Sequence, residues 1–209
     1  MTLNRLIKCQ TGASAVEFAM VLPHLLILLF GIIDGGRFAW EYNRAEKATQ
    51  AGARVAVVTS SFPSGLVSQN YVGQNVSGVA MMQGDLIPAA ALGRIVCTRT
   101  ACSCATADGG APPCPAPGTL DAAVFDNVLL ARMRAMKPDI QAANVRLEFS
   151  GSGLGYAGDP NGMDIAPLVT VRLTDMKFRP ITSLLLLSFP MPDFRTTLTA
   201  EDASGTQSN

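Results

Sequence analysis

The chain has little charge and almost no histidine. Acidic and basic residues make up 15% of its 209 positions, against about a quarter in an ordinary soluble domain. They also cancel, since 16 Lys and Arg stand against 16 Asp and Glu. No basic surface exists to follow a phosphate backbone, so nucleic acid is not expected as a partner. The single histidine, His24, lies inside an apolar run. That leaves no imidazole for acid–base work in a soluble domain. The chain carries no GxSxG, HExxH or phosphate-binding loop. Serines and aspartates are plentiful, but nothing sets a base beside a nucleophile. Catalysis and a bound cofactor are therefore not expected.

Apolar residues are abundant instead, at 48%, with a mean hydropathy of +0.27. They concentrate near the N-terminus. Residues 1–12 hold Arg5 and Lys8 and no acid. The run Phe18 to Ile33 follows, bounded by Glu17 and Asp34. A spanning helix needs about 20 apolar residues. Adding Ala13 to Val16 reaches that length and takes Glu17 inside it. An acid in such a place is costly and is a functional candidate by default. Positive charge on residues 1–12 predicts a cytoplasmic N-terminus, with everything after Asp34 facing outward. A cleaved secretory signal is the competing reading. It needs small residues after the apolar core, where Asp34-Gly35-Gly36-Arg37-Phe38 stands instead.

Gly12, Ala13 and Glu17 resemble the cleavage motif of type IV prepilins. The longer string Gly12-Ala13-Ser14-Ala15-Val16-Glu17-Phe18-Ala19-Met20-Val21-Leu22-Pro23, with Gly31-Ile32-Ile33-Asp34-Gly35-Gly36-Arg37, is similar to the TadE-like proteins. Those are minor pilins or pseudopilins of the tight-adherence (Flp, type IVb) pilus system. The tail is similar too, through Phe178-Arg179-Pro180-Ile181, Thr196-Thr197 and Glu201. The resemblance is strong over residues 10–58 and weaker over 166–202. It implies a leader of residues 1–12, removed after Gly12 by a prepilin peptidase. It further implies the major pilin, other minor pilins and the inner-membrane assembly platform as partners. The residues supply a rationale. Cleavage would free the amine of Ala13, a compact cation able to pair with Glu17 of a neighbouring subunit in a fibre. The bland alternative is that Glu17 marks the helix boundary at the lipid headgroups. A related possibility is a single-pass anchored binding or adhesion protein that never polymerises, as the TadG-like proteins resemble. Those are typically larger.

Pro23 removes one helix hydrogen bond and should kink the segment; His24 reads as a packing residue. The helix is expected to continue past Ile33. From Phe38 to Val58, Ala45, Ala48, Gly52, Val55 and Ala56 share one face. A helix from Ala13 to Val58 would be ~69 Å long. Gly31 with Gly35, and Ala48 with Gly52, place small residues four apart, which lets helix backbones approach closely. The inner half would serve neighbouring subunits and the outer half the chain's own head. Glycine also makes a bend near Gly35-Gly36 plausible.

Residues 59–209 are expected to form an extracytoplasmic domain. A helix near Leu86 to Val96 would carry Pro88 in its first turn. Cys9 falls in the leader, and Cys97, Cys102, Cys104 and Cys114 remain. Outside the cytoplasm these are disulfide candidates, with three pairings open, around a loop at 97–118. Zinc is the alternative, but the spacing lacks two matching CxxC knuckles. Thr119 or Asp121 can cap a helix over Ala122 to Lys137, with Phe125, Val128, Leu129 and Met136 inward. Val145, Leu147 and Phe149 alternate with polar residues, as do Val169, Val171 and Leu173, and Phe194 to Thr199 reads as a last strand. Leu184 to Leu187 is too short to span and should cover one face of the sheet. The fold class is α+β: a long membrane-spanning helix on a small antiparallel sheet, with one or two further helices.

Two patterns mimic binding motifs. Gly153-Leu154-Gly155-Tyr156-Ala157-Gly158 matches GxGxxG, but Asp159-Pro160-Asn161-Gly162 follows where a dinucleotide site needs a helix. Asp159, Asn161 and Asp164 suggest a calcium turn without the remaining ligands of an EF-hand.

Overall fold

The computed structural model describes residues 11–105, 114, 117–160, 162–181 and 188–200, and of residues 11–13 the backbone alone. The expected leader up to residue 10, the Leu184–Leu187 cover and Glu201 lie outside the described residues. The architecture is α+β, a long apolar N-terminal helix with a small antiparallel sheet and a few short helices. The chain forms two compact units. One comprises Met1–Glu41 with Lys177–Phe189, the other Tyr42–Met176 with Pro190–Asn209. A single helix, Thr11–Val58, contributes to both.

In the first unit the helix is apolar on every side. Its most apolar stretch has a mean hydropathy of 2.3, with none of it buried by the fold. A helix hydrophobic all round belongs in a core or in lipid, so this one fits a membrane anchor. Pro23 lies within the helix without ending it. His24, on the next turn position, sets Nδ1 2.9 Å from the Met20 carbonyl oxygen.

In the second unit the helix turns small-residue positions inward. Ala45, Ala48, Thr49, Gly52, Ala53 and Ala56 are all buried. Between the helix and the next short one, Ser64–Val67, the Thr59 hydroxyl donates to the Val55 carbonyl at 2.8 Å. A hairpin follows, β1 (Asn75–Val76) on β2 (Val79–Ala80). Its turn residues Ser77 and Gly78 both have positive φ, 53° and 87°, which suits a tight hairpin connection. The main sheet has five strands in the order β4-β3-β5-β6-β9, every neighbouring pair antiparallel. The strands are β3 (Arg94–Cys97), β4 (Cys102–Ala105), β5 (Val145–Ser150), β6 (Leu168–Leu173) and β9 (Phe194–Thr199). Strands β7 (Lys177–Phe178) and β8 (Phe189–Pro190) are short and separate from it. Alternation decides the faces. Val145, Leu147, Phe149, Val169, Val171 and Leu173 are all fully buried, as period-two patterning requires.

Two sequence expectations need correction here. Leu86 to Val96 is not a helix. Only a 3-10 turn forms, Ala89–Ala91, and the chain then extends into β3. Ile95 and Cys97 are buried while Arg94 is exposed, so the real period is two, and the short apolar run misled. The second concerns Met136, which is exposed, whereas Leu130 and Met133 are buried. The helix from Ala122 to Met136 contains a π segment, Phe125–Leu130. The wider turn advances the phase, so an α-periodic count lands on the wrong residues after Leu129. Asp121 caps this helix, its Oδ1 accepting from Ala123 N at 2.8 Å and Val124 N at 3.3 Å.

Candidate functional site

The anchor helix is the feature with functional content, and its two ends differ. At the entry, Gly12 and Ala13 lie within helical backbone. Glu17 projects from the helix exposed, one turn before Val21 and two before Leu25, which are also exposed. Among the described residues no cation pairs with it.

At the exit, the helix acid is handled oppositely. Asp34 is 7% exposed. Its Oδ1 accepts from the backbone N–H of Ile181 at 2.7 Å and from Arg37 Nη1 at 3.2 Å. Arg37, one turn on, reaches the Arg179 carbonyl at 3.4 Å and lies over the Phe178 ring at 5.7 Å. Phe38 meets the same ring edge-on, centroids 5.3 Å apart. The returning segment Lys177–Ile181 is thus clamped to the helix where the apolar run ends. In the sequence Asp34 marks only the end of the apolar run. Its spacing of three from Arg37 permits their own pairing on a helix, but nothing local points to Ile181.

Small residues divide by location. A Cβ at Gly31 or Gly35 would meet nothing within 4 Å. At Gly52 it would lie 2.9 Å from Met133 Cγ and 3.3 Å from Val171 Cγ1. Ala48 is fully buried in the same unit as Gly52. Next to it, the Thr49 hydroxyl is 3.0 Å from that of Thr196 on β9. Tyr42 packs edge-on against Phe194 at 4.9 Å. Close helix–sheet approach is the reason for glycine and alanine here.

The four cysteines lie at disulfide distance in the pairs Cys97–Cys102 and Cys104–Cys114. Cys97 and Cys102 face one another across the β3–β4 ladder, Cα atoms 4.0 Å apart. Cys104 and Cys114 join the edge strand to the loop beyond it, with Cα atoms 6.1 Å apart.

The glycine-rich loop is a turn and opens no helix. Gly153, Gly155 and Gly158 have φ of 80°, 108° and 75°. The loop is stitched to residues 84–87 through Ile87 N to Gly155 O at 3.1 Å and Gly84 N to Ala157 O at 2.8 Å. Beside it, Asp164 is buried and accepts from Tyr71 N at 2.7 Å; Asn161 lies outside the described residues. No group of three His, Cys, Asp or Glu among the described residues could hold a metal. Burial, and then the Asp164 charge, push the Tyr71 hydroxyl up to about 12. On the sheet's other face, Glu148 lies 3.3 Å from Arg172 and 3.7 Å from Arg94, and Arg172 also pairs with Asp193 at 2.6 Å. Hydrogen bonds to Asp193 and then Glu148 hold the Arg172 guanidinium above its ordinary value. That is a solvated ladder, of modest energetic weight.

A long apolar N-terminal helix that continues into an α+β domain fits a membrane anchor. Residues 12–54 match the family described as TadE-like protein, consistent with a TadE-like protein of the tight-adherence pilus system. No curated protein and no solved structure matches the chain.

Proposed function

We propose that this chain is a non-catalytic minor pilin, or pseudopilin, of a tight-adherence pilus. In this reading a prepilin peptidase removes residues 1–12. The mature subunit waits in the inner membrane with residues 13–33 across it and its head on the outer side. It then enters a fibre with the major pilin and sister minor pilins through the assembly platform. The observation that carries the reading is Glu17, exposed and without an ion-pair partner among the described residues on an apolar helix. An acid moved from the membrane edge into a bundle of apolar helices needs a counter-charge. Burying one charge without its partner costs about 3–5 kcal/mol. The amine of Ala13 from an adjoining subunit would supply that charge. The pair then favours docking and fixes the stagger between helices. Gly31 and Gly35, with open space around them, suit close approach by a second helix.

The test separates cutting from packing. Gly12→Arg should leave the full-length chain in the membrane. Glu17→Gln should still be cut, keep its head folded, and fail to enter pili. Pili that form normally with Glu17→Gln would overturn the pairing role.

A further inference from the structure

The chain leaves its anchor at Asp34, and the returning C-terminal segment is tied to that same residue. Ile181 donates its N–H to Asp34 at 2.7 Å, so Ile181 sits at the depth where the apolar run ends. It is 54% exposed. Phe189, on the strand paired with Lys177–Phe178, is 53% exposed. Trp40 lies six residues past Asp34, about 9 Å along the axis, and is 65% exposed. Lys177 and Arg179 are exposed beside these apolar groups, while Phe178 between them is buried on Phe38. By sequence, residues 182–188 carry no charge.

Exposed apolar groups alternating with cations suit the boundary between hydrocarbon and headgroups. Aromatic rings gather there, and each nearby Lys or Arg adds about 1 kcal/mol of attraction to an anionic leaflet. Asp34 would oppose that attraction, but Arg37 and the Ile181 amide occupy its carboxylate. We propose that this face, built from Ile181, Phe189, Trp40, Lys177 and Arg179, rests on the outer surface of the bilayer as a second membrane contact. Its occupant is a lipid surface bearing anionic headgroups. Continuity with the anchor favours lipid over a protein partner, because the face begins where the helix emerges. The inference rests on the helix residing in a membrane. It adds a consequence: leaving the membrane for a fibre requires peeling off this face as well as extracting the helix.

Trp40 is the only tryptophan, which makes depth measurable. The full chain, with Trp40→Phe, is reconstituted into bilayers containing anionic phospholipid and lipids brominated on their acyl chains. Ile181→Trp and Phe189→Trp are added separately, and Leu25→Trp, near the middle of residues 13–33 and exposed, marks the anchor. Both 181 and 189 occupy exposed positions, so neither probe disturbs packing. The expected result is loss of emission for all three probes, strongest with shallow bromines at 181 and 189 and with deep bromines at 25. Quenching at 25 with unchanged emission at 181 and 189 would overturn the second contact alone. Unchanged emission at 25 would overturn the anchor reading itself. Quenching at 181 and 189 that is independent of bromine depth would show penetration of the segment, contradicting surface seating.

Discussion

Gly52→Val tests how the outer helix meets the sheet. The glycine faces Met133 Cγ at 2.9 Å, Met133 Sδ at 3.0 Å and Val171 Cγ1 at 3.3 Å from an ideal Cβ position. A first carbon already forces Met133 to move; two more must displace Val171, which is fully buried in β6. Overpacking of this kind costs about 1–3 kcal/mol. Valine regains only about half a kcal/mol of helix propensity over glycine. The net loss should be about 0.5–2.5 kcal/mol, or roughly 2–4 °C in Tm for each kcal/mol in a chain of this size. Gly35→Ala is the matched control, because nothing lies within 4 Å of its Cβ. It should raise stability by up to about 1 kcal/mol through propensity alone. Urea denaturation of the detergent-solubilised chain, followed by circular dichroism, measures both. Met133→Ala should cost less in the Gly52→Val protein than in the parent, since contacting residues couple by about 0.5–3 kcal/mol. A Gly52→Val protein as stable as the parent, or one whose loss is additive with Met133→Ala, would refute this packing.

Other outcomes follow from the same geometry. Asp34→Ala leaves the Ile181 N–H without its acceptor, a loss of about 1–3 kcal/mol; amide exchange at Ile181 should quicken, and unchanged exchange would remove the clamp. Tyr71 has a buried hydroxyl with no partner among the described residues, so Tyr71→Phe should be neutral or stabilising, and a clear destabilisation would reveal a hidden partner. The Tyr71 hydroxyl is raised from 10.0 to about 12 in the fold, so the fold favours its neutral form. That contribution is complete below pH 10 and is lost as pH climbs toward 12, about 3 kcal/mol in all; thermal melts across that range should show the fall in the parent and a smaller one in Tyr71→Phe. Loop-closure entropy assigns about 2 kcal/mol to the short Cys97–Cys102 loop and about 3 kcal/mol to Cys104–Cys114; paired serine substitutions should lower Tm in that order, and mapped disulfides joining other cysteines would contradict the pairing.

Much of the architecture could be read from the residues. The strands at Val145–Ser150 and Leu168–Leu173 announced themselves because each buries one face only, which writes a period of two. The long helix was legible for the opposite reasons in its two halves, as an unbroken apolar run and then a stripe of alanine and glycine. Reading failed where the local pattern was ambiguous. Leu86 to Val96 is a short apolar run that suits a helix or a buried strand alike, and ladder bonds to β4 and β5 decided for strand. A π turn cannot be heard in a sequence, so Met136 was placed inward when Leu130 and Met133 take the core. The clamp at Asp34 joins residues 147 positions apart, and no spacing rule links them. Gly12 and Glu17 stand out in the sequence because they fall within six adjacent residues that resemble a processing motif.

The most direct measurement is the mass of the mature N-terminal peptide, taken from cell envelopes in which the processing peptidase is active. A chain that begins at Ala13 is expected. A chain that still begins at Met1 would contradict the pairing, because no free amine would then stand at Ala13 to meet Glu17 of the next subunit.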